Sequence, residues 1–296
     1  MDVLITAISQ GLLWSMLAMG VFLTFRILDI ADLTAEGSFP LGASVGSILI
    51  LEGMSPLLAT FMAILAGMMA GFVTGILYTK LKIPALLSGI LTMTALYSIN
   101  LRIMGRANLS LIGQESVFDL FSNMVISDNW IPIVIGLILV SIVIFLLFLF
   151  FNTELGFVLR ATGDNEQMVR AQGANTDTLK ILGLMISNGL IAFSGALIAQ
   201  DNGYADISMG IGTIVIGLAS VIVGEVLFGN LTIAKRLICV VLGSTIYRMI
   251  IALVLNLGMA PTDLKLISAI LLVIALSSPM LKGVLQKNIG KRGLLK

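Results

Sequence analysis

The ionisable residues that could take part in chemistry are few and lie in short polar stretches. One stretch, 25–39 (FRILDIADLTAEGSF), places Asp32 and Glu36 between two apolar runs. Glu225 and Arg248 lie inside apolar runs, where an ionised group is costly and needs a partner, a cavity or a helix end. These residues indicate a polar path or hinge in an apolar protein. Asp32 and Glu36 also fit a simpler role at the start of the following helix, as a cap and as a first-turn acid.

The sequence carries no pattern typical of an enzyme. It has no histidine and a single cysteine, which excludes an internal disulfide and a His/Cys metal cluster. It contains no GxxxxGK[ST], GxSxG or HExxH sequence. We therefore expect no catalytic residue and no cofactor bound by this chain. The net charge of +1 argues against nucleic-acid binding.

The longest polar stretch is 152–178, between two very apolar runs. Its pattern predicts a short helix over 155–161 and a second helix over 166–172. Asp164 or Asn165 would cap the second helix, and Gly173 would end it. The result would be a short amphiphilic helix between two tight turns, tied directly to two membrane helices, which would transmit motion from a docked partner. The alternative is an ordinary cytoplasmic loop.

The elements around these residues must be membrane helices. The chain is 58% hydrophobic and 11% charged, whereas soluble domains carry roughly 25% charged residues. A helix needs about 20 apolar residues to cross a bilayer. We therefore predict an all-α polytopic membrane protein with about nine spans (8–10), the second of them short and glycine-rich. The predicted spans are 3–25, 37–52, 55–78, 84–103, 131–151, 179–200, 209–228, 237–257 and 264–281.

The distribution of basic residues predicts the orientation. With the C-terminus in the cytoplasm, most of the 17 lysines and arginines lie inside, as expected for a cell-membrane protein. Nine spans then place the N-terminus outside and 152–178 inside. The cytoplasmic set is Arg26, Lys80, Lys82, Arg160, Arg170, Lys180, Lys235, Arg236, Lys282, Lys287, Lys291, Arg292 and Lys296.

A short internal repeat is present. ADLT at 31–34 is echoed by ADIS at 205–208, and each precedes a glycine-rich apolar run. These runs are the second and seventh predicted spans, which cross in opposite directions. This is typical of an inverted-topology repeat, whose interface often holds the substrate path. Chance similarity between two glycine-rich helices is the alternative.

The polar stretch carries a family resemblance. ELGFVLRATGDNEQMVRAQGANT resembles the pattern G-x-x-x-R-A-x-G-D/E-N-x-x-x-A-x-x-x-G of ABC importer permeases for branched-chain amino acids and ribose-type sugars. The sequence departs from the pattern at Arg170. WSMLAMGVFLTFRILDIADLTAEGSFPLGA and LLSGILTMTALYSINLRIMGRANLSL are similar to permeases paired with lipoproteins of the tryptophan/tyrosine-binding group.

The resemblance implies a type II-importer-like permease, a single membrane domain over 1–296 that contains a cytoplasmic coupling segment, 152–178. It also implies a homodimer in the bilayer, two cytoplasmic ATPase subunits that hold the ATP, and an external binding lipoprotein. The implied solute is small, such as an aromatic amino acid. Coupling to the ATPase would involve Leu155, Gly156, Arg160, Ala161, Gly163, Asp164, Asn165, Glu166, Arg170 and Gly173.

The predicted translocation path runs near the axis between two permease copies, beside the second and seventh spans. Two other classes of function stay open from the residues. One is an ion-coupled secondary transporter or channel working without an ATPase, and the other is a membrane enzyme. The candidate pathway residues are Asp32, Glu36, Asn100, Asn188, Asp206 and Glu225.

Overall fold

The computed structural model describes residues 2–119, 130–228 and 232–259, together with 263, 266–270, 272, 273 and 277. In these residues seven helices are long and apolar enough to cross a membrane, and an eighth apolar helix is shorter. They match the first eight predicted spans. The ninth, 264–281, lies mostly outside the described residues. The eight helices are α1 (Asp2–Phe22), α2 (Ala35–Leu51), α3 (Pro56–Thr79), α4 (Ala85–Met104), α5 (Ile131–Phe151), α8 (Thr176–Asn202), α9 (Thr213–Phe228) and α10 (Ile233–Asn256).

Short elements mark the two ends of the helix bundle. At one end lie the two connecting helices α6 (Glu154–Asp164) and α7 (Glu166–Ala171). At the other end, β1 (Asn108–Ser110) follows α4 and pairs antiparallel with β2 (Tyr204–Asp206), which follows α8. We call these ends the connector face and the strand face.

Helix α8 lies at the centre of the bundle and packs against α1, α2 and α3. Small residues make this packing possible. A side chain at Gly42 of α2 would overlap the Ala192 carbonyl of α8, and one at Gly71 of α3 would overlap the Leu184 carbonyl. Such close approach of backbones is how helices gain packing contacts when lipid removes most of the hydrophobic driving force between them.

Two membrane helices are interrupted. The first helix ends in a π-helical turn, Leu23–Ile27, and the chain then runs without regular helix to α2. Before α9 there is a 3₁₀ turn, Ile207–Gly210, followed by Gly212 at φ +85°. Irregular backbone inside a membrane protein is tolerated where it is enclosed by protein or lines a cavity. These two interruptions therefore mark the part of the molecule where function is to be sought.

Candidate functional site

The first interruption is held by a buried cluster around Asp32. The Asn188 side-chain amide donates to Asp32 Oδ2 at 2.7 Å, and Ser38 Oγ donates to Asn188 Oδ1 at 2.7 Å. All three residues are at most 4% exposed. The Thr34 N–H donates to Asp32 Oδ1 at 2.9 Å, which shapes the turn before α2. Asp32 thus ties this turn to the centre of α8.

A chain of threonine hydroxyls extends this cluster sideways. Thr34 Oγ1 and Thr74 Oγ1 are 2.8 Å apart, and Thr74 Oγ1 donates to Thr92 Oγ1 at 2.9 Å. Thr34, Thr74 and Thr92 belong to the turn before α2, to α3 and to α4, and all are buried. Buried polar groups are costly unless hydrogen-bonded, so this chain fixes the relative positions of the three elements.

The start of α2 also contacts the second interruption. Glu36 Oε1 accepts a hydrogen bond of 3.0 Å from the Gly212 N–H. A side chain at Gly210 would overlap the Glu36 carbonyl, so the two backbones touch there. Asn100 of α4, fully buried, donates from Nδ2 to the Gly37 carbonyl at 3.2 Å. The two interrupted segments therefore meet at the first turn of α2.

Asp206 lies at the strand face, apart from Asp32 and Glu36. Its carboxylate accepts hydrogen bonds from the Ser208 N–H at 2.7 Å and from Asn108 Nδ2 at 3.1 Å. Partial burial acts to raise the pKa of Asp206, but the hydrogen bonds from Ser208 and Asn108 outweigh it and the pKa is lowered. Asp206 and Asp32 each accept from the backbone N–H two residues later. The echoed sequences thus form the same type of turn.

Glu225 lies at the connector face, where it forms an ion pair with Arg26. Arg26 Nε is 2.8 Å from Glu225 Oε1. The pair joins the end of the π-helical turn to the last turns of α9. It borders a cleft of about 770 Å³ that Arg160, Ala161 and Asp164 of α6 also line. Glu225 thus has a basic partner within the chain.

Helix α6 is fixed tightly to the membrane helices. Thr153 caps it by accepting from the Gly156 N–H at 3.2 Å. A side chain at Gly156 would overlap the Phe150 carbonyl of α5, and one at Gly163 would overlap the Ile27 carbonyl at the end of the π-helical turn. The guanidinium of Arg160 lies 4.4 Å from the centre of the Phe157 ring. Helix α6 is therefore in direct contact with the end of the π-helical turn, a few residues before Asp32.

Helix α7 begins and ends as the sequence predicts. Asn165 rather than Asp164 is its cap and accepts from the Met168 N–H at 3.0 Å, while Gly173 takes φ +87° in the turn that follows. Asp164 instead closes α6, which runs three residues beyond the predicted end at 161.

An ionic cluster joins α7 to the start of α8. Glu166 lies 2.7 Å from Arg170 Nη2 and 2.7 Å from Lys180 Nζ. Partial burial acts to raise the pKa of Glu166, but the hydrogen bond and charge of Lys180, with Thr176 and Arg170, outweigh it and lower the pKa. Lys180 Nζ also donates to the Tyr78 hydroxyl of α3 at 3.3 Å. One buried lysine thus connects α3, α7 and α8.

Several apolar side chains of α6 and α7 are exposed. Leu155, Phe157 and Met168 are 58%, 54% and 46% exposed, on helices that lie outside the long membrane spans. Exposed apolar side chains beside polar ones are typical of a surface that contacts another protein. Asp164 and Arg170 are exposed on the same two helices, and Gly173 is exposed in the turn after α7.

The sequence predicted the connecting segment and the polar turns, but it did not predict which polar side chains pair with each other. It did not connect Lys180 with Glu166, Arg26 with Glu225, or Thr34 with Thr74. One signal was available. Lys180 lies in the first turns of a membrane helix, where the helix dipole favours acids over bases, so it needed an acidic partner nearby.

Known proteins match over most of the chain. The model of the family "Branched-chain amino acid transport system / permease component" matches residues 3–276. A tyrosine transport system permease protein of Clostridioides difficile is 48% identical over 98% of this chain and 96% of its own length.

Two solved structures share the fold. The PsaBC complex of Streptococcus pneumoniae with a Fab contains a chain with a TM-score of 0.50 and 17% identity, covering 93% of this chain and 89% of its own. An inward-facing ABC transporter of the metal-chelate type has a TM-score of 0.50 and 16% identity, covering 95% and 85%. At these identities the likeness concerns the fold alone. The family match and the 48% identity together show that this chain is a multi-pass membrane protein of the branched-chain amino acid transport system / permease component family, the permease component of an ABC transport system.

Proposed function

We propose that this chain is the permease of an importer for an aromatic amino acid of the tyrosine type, driven by separate ATPase subunits that dock on α6 and α7. The substrate is suggested by the tyrosine transport permease that is 48% identical over nearly the whole chain. The observation that carries the coupling role is the packing of Gly163 against the Ile27 carbonyl, which links the exposed helix pair to the Asp32 turn.

The charge distribution supports the orientation. Lys80, Lys82 and Arg170 lie together at the connector face, around Asp177. Basic residues favour the cytoplasmic side, so this face is proposed to be cytoplasmic and the strand face external. The N-terminus would then be outside and the C-terminus inside, with nine spans. A binding lipoprotein would deliver the solute at the strand face.

The structure of the two interruptions supports an inverted repeat. The Asp32 turn follows a helix that runs toward the connector face, whereas the Asp206 turn follows α8, which runs toward the strand face. Their helices, α2 and α9, contact each other through Glu36 and Gly212. We propose that α2 and α9 of two copies enclose the solute path. Asp32, Asn100 and Asn188, buried within one chain, would act by holding this region in place.

The proposed mechanism is mechanical. Closure of the ATPase dimer on ATP would push α6 and α7. The push would reach the Asp32 turn through Gly163 and Ile27, and would reach α3 and α8 through Glu166 and Lys180. Contacts such as Glu36–Gly212 would then break and reform as the path opens to one side and then the other.

The test is reconstitution of the chain with its ATPase and binding protein in liposomes, with uptake of labelled tyrosine measured beside ATP hydrolysis. Met168→Glu adds a charge to the exposed apolar surface of α7 and should lower ATPase co-purification. Met54→Glu, the same substitution at an exposed methionine in the turn between α2 and α3, far from α7, is the control. Uptake by the purified chain alone, driven by an ion gradient, would overturn the proposal in favour of a secondary transporter.

A further inference from the structure

Arg248 of α10 is a cation that the transport proposal leaves unused. Its guanidinium carbon lies 3.9 Å from the centre of the Trp14 ring of α1. Its Nε, fully shielded from solvent, has no hydrogen-bond partner among the residues that the structure describes. Arginine in a membrane span normally pairs with an acid, a carbonyl or a water-filled cavity, because the charge is costly in hydrocarbon. The attraction between the guanidinium and the face of the Trp14 ring recovers only part of the hydration free energy that the cation loses on burial.

A cavity of about 570 Å³ lies beside Arg248, between α1 and α10. Arg248 is two turns before Asn256, at the end of α10, which corresponds to roughly 12 Å along the helix axis. The lining runs from Arg248 up to Val3 and Asn256, near the ends of both helices at the strand face. The cavity thus extends from the strand face down to the guanidinium. The lining residues are Val3, Thr6, Ala7, Gln10, Arg248, Ile251, Ala252, Leu255 and Asn256.

The composition of this lining selects the charge and shape of a ligand. Among the lining residues that the structure describes, Arg248 carries the one charge and none is acidic. Gln10 and Asn256 add amide groups, and the remaining walls are largely apolar. A guanidinium binds carboxylate and phosphate oxygens through two parallel hydrogen bonds. The complementary ligand therefore has a compact anionic group and an apolar body.

We propose that Arg248 binds the carboxylate or phosphate group of an amphiphilic ligand that enters this cavity from the strand face, with the apolar part of the ligand along α1 and α10. The anionic group would approach the guanidinium beside Trp14. Two sources share this chemistry, a free amino acid and an anionic phospholipid. The site is independent of the proposed transport function and is not part of the Asp32 cluster.

Trp14 provides a local reporter of this site. The chain has two tryptophans, and the other, Trp130, is 50% exposed. Trp130→Phe therefore leaves Trp14 as the single fluorophore that can be excited selectively. The full-length W130F chain, purified in a neutral maltoside detergent, is titrated with two matched pairs of probes. One pair is L-phenylalanine and phenethylamine, and the other is dihexanoyl-phosphatidylglycerol and dihexanoylglycerol.

The expected result is a saturable change in Trp14 emission with the carboxylate- or phosphate-bearing member of at least one pair and none with its counterpart that lacks that group. A response to phenylalanine identifies a solute source, and a response to phosphatidylglycerol a lipid source. Arg248→Lys keeps the charge but loses the two parallel hydrogen bonds, and should weaken binding roughly tenfold. Arg248→Gln should abolish the response.

The proposal fails if neither carboxylate- nor phosphate-bearing probe gives a saturable response, if a counterpart lacking that group gives the same response, or if R248Q responds like its parent. If R248Q does not give a monodisperse protein, the matched probes on the parent chain and the R248K titration decide the question. Tyrosine uptake by the full complex is a separate measurement, so loss of the Arg248 site and failure of the transport proposal can be distinguished.

Discussion

Glu36 accepts a hydrogen bond of 3.0 Å from the Gly212 N–H, and this contact joins the two interrupted membrane helices. Glu36 is in the first turn of α2, and Gly212 is the residue just before α9. The carboxylate of Glu36 thus accepts from a backbone N–H at the start of α9. Its position in the first turn of α2 also interacts favourably with the dipole of its own helix. A single side chain therefore holds together the two segments proposed to move during transport.

Replacing Glu36 with Ala should separate these segments. A hydrogen bond to a charged group contributes about 1.5–3 kcal/mol, so E36A should lower the thermal unfolding temperature of the purified chain and reduce tyrosine uptake by the reconstituted complex. Glu52→Ala, an exposed acid just after the same helix, is the matched control and should change neither. Equal effects of the two variants would show that the Glu36 contact has no particular role.

Exchanging the residues of the Asp32–Asn188 pair should change the stability of the fold by less than the sum of the two single substitutions. Asn188→Asp places a second carboxylate 2.7 Å from the buried carboxylate of Asp32 and should cost about 2–4 kcal/mol. The double variant D32N/N188D restores one acid and one amide, and should recover part of this stability. The measurement is thermal unfolding of the two single variants and the double variant. Additive losses would mean that the two side chains do not interact.

Gly163→Val should interfere with coupling. The new side chain would overlap the Ile27 carbonyl and push α6 from the end of the first membrane helix, at a cost of about 1–3 kcal/mol. In the reconstituted complex we expect ATP hydrolysis to continue while uptake per ATP hydrolysed falls severalfold. Ala95→Val places the same side chain at an exposed position of α4, away from α6 and α7, and should leave the ratio unchanged. A normal ratio in G163V would argue against transmission through this contact.

The Glu166–Lys180 pair predicts a pH dependence of stability. Because the pKa of Glu166 is lowered in the folded chain, its ionised form stabilises the fold above the ordinary carboxyl pKa of 4.5, and this contribution is lost as the pH falls through the folded value. The difference in unfolding temperature between the parent and E166Q should be constant near neutral pH and should shrink below about 4.5.

The matched control for this pair is an exposed acid on the neighbouring helix. Asp164→Asn should show no such change with pH, since no ion pair involves Asp164 in the residues that the structure describes. A pH-independent difference between the parent and E166Q would contradict the assigned contacts of Glu166.

Some features follow from the sequence because their causes are local. Asn165 caps α7 through its own neighbour Met168, and Gly173 takes a positive φ, so both helix ends could be predicted from a few adjacent residues. The long apolar helices follow from composition and bilayer thickness. Family membership was predicted from the resemblance of residues 156–173 to a known permease pattern and is confirmed by the family match.

Other features depend on tertiary contacts between residues far apart in the chain. Nothing local brings Glu36 to Gly212, Asn188 to Asp32 or Lys180 to Glu166. The sequence by itself determined a multi-pass membrane permease with a polar helical connector. The packing of α8 against α1, α2 and α3 decided which polar groups meet. A buried polar side chain needs a hydrogen-bond partner, and the close helix crossings determine which groups are near enough to serve as one.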